Sequence, residues 1–406
     1  MIRKLMLWGA LFTGCCIDAQ PYRWTLCVYI AGDNDLARYA PLNIKQLSQG
    51  IVSDDCALCV YLCRREGGRK VARKVRVIHN DTIDYGEDSH IDSGSADTFH
   101  AACSWAFSNF PADQAMVICW DHGSGILNRH IPHRGICYDD TTGNYLTDRD
   151  LAQVLADLAH TRGKPVDILG FDACLMANAE LAALLAPYTR YIIASEETIP
   201  GTGWEYTALG TALSQRESDP LLVCRAVVDA YKALYESSMN DYTLSAVDAY
   251  GMADVAEGIE KVGHLLSYAL RVQYLNSVRL ALNLRLLPPQ VSYFEERDYA
   301  DLMMVSRAIR AAVPSMRFTL SSEATSELKK NLIAALRDLE SAIARAVVAE
   351  VHGTAYKNVA GLSIYLPRYD MHASYPLTLW HAAYPSWGSF IANYRLGRSL
   401  MMHGMW

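Results

Sequence analysis

Two apolar segments of this chain run directly into side chains that can act as base and nucleophile. The stretch Val117 to Gly125 (VICWDHGSG) ends on an imidazole followed by glycines, and Val166 to Met176 (VDILGFDACLM) ends on a thiol. A thiolate is a strong nucleophile, and a histidine within reach moves the proton that acyl transfer requires. His122 and Cys174 lie 52 residues apart, each just beyond a strand-like run. Chemistry in open α/β sheets gathers beyond the carboxyl ends of strands. If the two runs are neighbouring strands, about 4.8 Å apart, imidazole and thiol project into one volume. Taken singly, each residue also fits a plain role, Cys174 as a core thiol and His122 as a satisfied turn residue. Ser124 is a rival nucleophile on paper, but its surroundings lack the Gly-x-Ser-x-Gly elbow that exposes a serine.

The elements that must position this pair alternate between short apolar runs and helical patterns. Strands are expected at Trp24–Ala31, Cys56–Arg64, Val71–His79, Ala115–Trp120, Val166–Phe171 and Tyr191–Ser195, with Glu66-Gly67-Gly68 as a hairpin turn. Helices are expected at Asp35–Gln49, with Asn34 or Asp35 as cap, and at Ser95–Phe110, Asp148–His160 and Ala177–Ala186. Apolar strands separated by helices call for a mostly parallel sheet covered on both faces, an α/β/α three-layer sandwich. The second half reads as a helix opened by Asp219-Pro220, a strand at Thr243–Val247, and a helix at Met252–Tyr274. A long helical region at Ser321–Glu350, a strand at Leu362–Leu366 and a helix at Trp387–Tyr394 follow. The expected division is therefore 1–14 as a leader, 15–210 as the catalytic sandwich, and 211–406 as a helical and α/β region packed on it.

The chain has 406 residues, 51% hydrophobic and 20% charged, with a net charge of −7. That composition excludes a disordered chain, and an acidic balance without a basic arm gives no footprint for nucleic acid. Arg3 and Lys4 precede a short apolar run that exits on small residues, the pattern of an export signal. Leu11 to Cys15 (LFTGC) also resembles a bacterial lipobox, with Phe12 departing from the usual aliphatic residue. Two mature N-termini stay open: plain cleavage, or lipidation of Cys15, which would be the only membrane attachment. Loss of residues 1–14 leaves 35 basic against 44 acidic side chains, a charge of −9. Cys27, Cys56, Cys59, Cys63, Cys103 and Cys119 sit mostly in apolar segments and are expected as buried free thiols. Cys56-x2-Cys59-x3-Cys63 lies on a strand where the first two point to opposite faces, and His130-x2-His133-x3-Cys137 has no second half. No metal site is assigned to either. There is no nucleotide-binding glycine motif, and no cofactor is required by the sequence.

Around the candidate pair the sequence resembles the clostripain family of cysteine peptidases, which share the caspase-like fold. The resemblance rests on Trp120–Gly125 (WDHGSG) and Gly170–Met176 (GFDACLM). It continues more weakly through Ala31–Leu36, Ala194–Glu197 with Pro200–Trp204, Leu244–Asp248 and Gly361–Pro367, so that it covers almost the whole mature chain. A histidine about 50 residues before the cysteine is also the arrangement of caspases. The resemblance implies an exported endopeptidase in which Cys174 attacks a peptide carbonyl and His122 shuttles the proton. The N–H groups of Gly123 and Cys174 are then the oxyanion donors. Protein or peptide substrates are implied, cleaved after Arg or Lys, with Asp172 receiving the basic side chain.

The stretch that follows the expected strand Tyr191–Ser195, with Glu196, Glu197 and Thr202, is expected to line the same pocket. Some relatives carry an acidic residue where this chain has Thr202, which weakens the preference for basic residues unless a glutamate turns inward. Relatives are made as zymogens cut between the His and the Cys, which makes Arg129 or Arg134, in a segment read as an exposed hairpin or loop, the processing candidates. Some relatives use calcium; no EF-hand spacing is present here, so a site would have to be assembled from distant segments. Two other readings stand beside this one: the same fold with a non-basic specificity, and a catalytically silent surface lipoprotein that binds a partner. The intact His122 and Cys174 argue against the second. The sequence leaves the oligomeric state and the physiological substrate open.

Overall fold

Alternation of side chains along the central strands sorts the core into two faces. In a computed structural model, which describes residues 22–126, 135–281, 284, 291–367 and 370–402, thirteen strands are formed. They are β1 (Tyr22–Ala31), β2 (Cys56–Glu66), β3 (Arg69–Ile78), β4 (Asp81–Ser89), β5 (Ala112–Trp120), β6 (Ile136–Asp139), β7 (Asn144–Leu146), β8 (Val166–Asp172), β9 (Thr189–Ala194), β10 (Thr243–Asp248), β11 (Tyr299–Asp301), β12 (Val347–His352) and β13 (Ser363–Tyr365). Nine of them build one sheet in the order β12-β10-β9-β8-β5-β1-β2-β3-β4. The central pairings β2/β1, β1/β5, β5/β8 and β8/β9 are parallel, and the flanking ones antiparallel. Cys15, Arg129, His130, His133 and Arg134 lie outside the described residues.

Trp24, Leu26, Val28 and Ile30 of β1 face one side, with Met116, Ile118 and Trp120 of β5. Cys27, Tyr29 and Ala31 face the other, with Val117 and Cys119. This period of two is what a strand buried on both faces requires. The first side is covered by helices Ala40–Gly50, Tyr206–Ser214 and Pro220–Tyr235. The second is covered by Ala96–Asn109, Asp148–Arg162, Ala179–Leu185 and Met252–Val272, with Ser322–Ala346 packed on the last of these. The result is the three-layer α/β/α sandwich. Among the described residues no helix is long and apolar enough to cross a membrane.

Local chemistry explains several boundaries. Gly67 and Gly68, at φ 54° and 82°, make the two-residue turn between β2 and β3 that a side chain would strain. Asp219 accepts from Leu221 N–H and Pro220 opens its helix. Several elements depart from the reading by periodicity. The chain after β1 begins as a 3-10 turn, Asp35–Tyr39, before helix Ala40–Gly50, because Asn34 caps that turn rather than a longer helix. The helix expected to Glu350 ends at Ala346, and Val347–His352 becomes edge strand β12 against β10. Its β-branched Val347, Val348 and Val351 suit a pleated edge. Strand β4 and helix Tyr206–Ser214 gave no periodic signal; β4 is mostly exposed and is held by its ladder to β3.

Gly170 of β8 sits against Trp204, and a Cβ added there would lie 2.8 Å from the indole ring. Gly170→Ala should therefore destabilise the fold by about 1–3 kcal/mol, since a fully buried tryptophan must shift. Urea unfolding of the two proteins measures this, with the variant midpoint lower.

Candidate active site

The register of β5 against β8 sets the site. Trp120 is the partner of Asp172, the last pair of that ladder, and Asp121 N–H continues it by donating to Asp172 C=O at 3.2 Å. His122 and Cys174 each follow two residues later, so the spacing of 52 in sequence equals the offset of the ladder. Both line one cleft of about 180 Å3, together with Asp172 and the loop Ile199 to Gly203. A larger hollow of about 500 Å3, between helices Met252–Val272 and Ser322–Ala346, contains no thiol.

Each catalytic candidate is fixed by its own strand-end loop. After β8 the chain turns through Leu175 at φ 66°, an uncommon conformation for a branched residue, and Leu175 N–H donates to Glu197 C=O at 3.1 Å. That turn presents the Cys174 thiol, and Ile199 N–H donates to its Sγ at 3.3 Å. After β5, Asp121 is buried and anchors the next turn. It accepts from Asn34 Nδ2 at 2.6 Å and from Tyr138 N–H. Burial pushes its carboxyl well above the ordinary range, against the hydrogen bonds that lower it. Gly123 must be glycine here, since a Cβ would lie 2.6 Å from Cys174 C=O. No hydrogen bond to the described residues is made by the Gly123 and Cys174 N–H groups. Ser124 is turned into the backbone instead, donating to Gly135 C=O and accepting from Gly135 N–H.

Among the described residues no Lys or Arg lines the cleft. Burial pushes the Cys174 thiol up to about 11; the Ile199 N–H opposes this, and the carboxylates of Glu197, Asp172 and Asp121 add to it. Burial likewise raises Asp172 to about 7, although the Tyr206 hydroxyl, at 2.8 Å, and Trp204 N–H, at 3.2 Å, donate to its Oδ2. Its Oδ1 is buried without a protein partner. Gly203, at φ 69°, lies so close that a Cβ would meet Oδ2 at 2.4 Å.

The remaining pocket candidates go elsewhere. Glu196 is buried beside Asp301 with both carboxyl oxygens lacking a hydrogen-bond partner, and burial and that neighbour hold its carboxyl well above the usual range. Glu197 accepts from Thr198 N–H at 2.6 Å, from Glu295 N–H at 2.9 Å and from the Tyr356 hydroxyl. Neither glutamate, though expected to line the pocket, is among the residues around the cleft, and Glu197 is held by polar groups of the C-terminal half. Thr202 is exposed, and its hydroxyl donates to the Tyr235 phenol at 2.8 Å, which in turn donates to Gly203 C=O at 2.7 Å.

Reasoning from sequence missed Tyr206, Tyr235 and Asp35, whose Oδ1 lies 2.8 Å from His122 Nε2. Asp35 had a signal, as it directly follows the end of β1 next to β5, but it was read as a helix cap. Calcium, which the resemblance allows, finds no group of three or more His, Cys, Asp or Glu suited to a metal among the described residues. No step below is routed through it.

A sandwich with a thiol and an imidazole at adjacent strand ends defines the class of caspase-like cysteine peptidases. The pattern of the clostripain family matches residues 28–390, and the chain belongs to that family. Over 107 residues it is 33% identical to clostripain of Hathewaya histolytica, a match that spans 24% of this chain and only 20% of that protein. A secreted C11 cysteine protease from Bacteroides thetaiotaomicron, solved with an irreversible peptide inhibitor, superposes with a TM-score of 0.65 at 21% identity, covering 89% of this chain and 99% of that one. An inactive zymogen C11 protease from Parabacteroides distasonis gives 0.63 at 19% identity, covering 89% and 97%. At these identities the two structures establish likeness of fold.

Removing the Asp121 carboxyl leaves the buried Tyr138 N–H without its acceptor. Asp121→Ala should lose about 1–3 kcal/mol of stability, read as a lower midpoint of urea unfolding.

Proposed function

We propose that this chain is an exported cysteine endopeptidase that hydrolyses peptide bonds through Cys174 and His122, with Asp172 selecting a basic side chain before the cleaved bond. The observation that carries this is the convergence in one cleft of the thiol, the imidazole and a buried carboxylate with one oxygen unpartnered. The thiol gives its proton to His122 while Sγ bonds to the substrate carbonyl carbon. The negative charge that forms on the carbonyl oxygen meets the N–H groups of Gly123 and Cys174. The imidazolium then protonates the leaving amine as the C–N bond breaks, and the carbonyl re-forms as a thioester. Water, deprotonated by His122, attacks the thioester and releases Cys174.

A cationic side chain that reaches Asp172 would supply the partner its Oδ1 lacks, and a buried carboxylate gains much from such a partner. With Thr202 neutral, neither glutamate lining the cleft and Asp121 engaged by Asn34 and Tyr138, Asp172 is the cleft carboxylate with an oxygen left for that side chain. This favours, as a second reading, a weaker discrimination against neutral side chains than two carboxylates would give. Self-processing after Arg129 or Arg134 is consistent with the zymogen form of the Parabacteroides relative. Export is supported by the basic and apolar N-terminal segment, with Cys15 as the lipidation candidate. A partner-binding role without hydrolysis leaves the paired strand ends without a purpose.

Purified protein and Cys174→Ala, incubated with a peptide library varied before the scissile bond, test the assignment. Turnover should fall by at least about a thousandfold in the variant. Equal turnover would sink it, and cleavage only after neutral residues would sink the role of Asp172. Mass analysis of the same samples reads nicking after Arg129 or Arg134 in the wild type alone.

The raised Asp172 carboxyl gives a pH test. Below about pH 7 it is protonated in the free protein and attracts no cation. The kcat/KM for Lys or Arg substrates should therefore fall as pH drops through 7, more steeply than for a neutral isostere such as citrulline. In Asp172→Asn that difference between substrates should vanish, with activity on basic substrates lower by on the order of a hundredfold.

A further inference from the structure

Burial and surrounding carboxylates make the Cys174 thiol a reluctant acid, so at neutral pH its ionisation depends on how well His122 holds the proton. An imidazole by itself would have to hold that proton beside the carboxyls of Asp121 and Asp172 without a direct partner of its own. The structure supplies one. Asp35, the first residue of the 3-10 turn after β1, places Oδ1 2.8 Å from His122 Nε2. Nε2 is then the protonated nitrogen, donating to Asp35, and Nδ1 is the nitrogen left to exchange a proton with the thiol.

The position of Asp35 is not left to a mobile side chain alone. Asn34, immediately before it, donates from Nδ2 to Ala31 C=O at 2.9 Å and to Asp121 Oδ1 at 2.6 Å, and accepts from Leu36 N–H at 3.0 Å. This carboxamide ties the end of β1 to the end of β5, the strand that carries His122. The His122 hydrogen bond holds the Asp35 carboxyl below its ordinary value, so it is ionised throughout the neutral range.

We propose that Asp35 is a positioning residue for the reaction: it fixes the His122 tautomer with Nδ1 facing Cys174 and stabilises the imidazolium between thiol ionisation and protonation of the leaving amine. The inference rests on the peptidase reading above. Asp35 never touches the substrate's reacting atoms. When Sγ bonds to the carbonyl carbon, the thiol proton moves to Nδ1 and the positive charge is shared across the Nε2–H···Oδ1 contact. When the C–N bond breaks, the Nδ1 proton leaves with the amine. Because the Asp35 side chain is 67% exposed and that of His122 42%, solvent screens the pair, and the effect is smaller than for a buried triad.

The test uses the full chain and Asp35→Asn, Asp35→Ala, Asp35→Glu and Cys174→Ala. Each is assayed on one peptide as its amide and as its p-nitrophenyl ester, whose leaving group needs no proton. Asp35→Ala should lower kcat/KM about tenfold on the amide and less than threefold on the ester, because both need the thiol proton accepted by His122 but only the amide also needs its leaving group protonated. Asp35→Asn, close in shape, should lose less than Asp35→Ala, and Asp35→Glu should recover part of the loss. Equal losses on amide and ester, or no loss in Asp35→Ala, would overturn the inference, since a role confined to shaping the loop moves both substrates alike. A wild type that cleaves neither substrate, or a Cys174→Ala variant as active as wild type, would instead overturn the peptidase reading on which it stands.

Discussion

The parallel ladder between β5 and β8 is the constraint on which the site depends. Both strands are buried on both faces, so a slip by one residue would move every apolar side chain to the wrong layer. That penalty locks Trp120 opposite Asp172 and brings His122 and Cys174 to the same height above the sheet. The close approach of the two loops follows. Gly123 has room for no Cβ against Cys174 C=O, and Gly170 has none against Trp204, so packing around Cys174 is set by glycines. Reactive groups at strand ends inherit the precision of the core, which loops packed on solvent would not provide.

A second consequence is electrostatic. Burying Asp121, Asp172 and Glu196 in a low-dielectric layer is unfavourable for the charged forms, and all three carboxyls are raised. Asp121 is satisfied by Asn34 and Tyr138, whereas both carboxyl oxygens of Glu196 are buried beside Asp301 without a hydrogen-bond partner. Asp172 is satisfied on one oxygen only. A buried acceptor left open in the cleft wall supports the proposed role of Asp172 in receiving a donor from the substrate. The same negative surroundings work against the thiolate, and for that reason the hydrogen-bond partner of the histidine matters more here than for an exposed cysteine.

The C-terminal half does more than cover the sandwich. It contributes β10 and β12 to the sheet, and its Tyr356 and Glu295 N–H hold Glu197 just after β9. The loop Ile199 to Gly203 starts from these anchors, while Tyr235 and Asn43 hold its far end by hydrogen bonds to Gly203 and Thr202 C=O. Periodicity could show the strands and helices of this half but not these ties. A glutamate beside a strand end looks the same in sequence whether it faces a cleft or a neighbouring carboxyl.

The sequence by itself determined the alternating sheet, the export signal expectation, and the pair His122 and Cys174, because apolar periodicity and the residues that interrupt it are local properties of the chain. Resemblance to a family extended this to Asp172 and to the oxyanion groups at Gly123 and Cys174. Only the tertiary structure decided which acidic residues serve the cleft. It kept Glu196 and Glu197 out of the cleft wall, left Asp172 half-satisfied, brought Asp35 to His122 across 87 residues, and made Val347–His352 a strand at the edge of the sheet. Each of these depends on hydrogen-bond and packing partners contributed by distant segments. Their contacts exist only once the layers have closed.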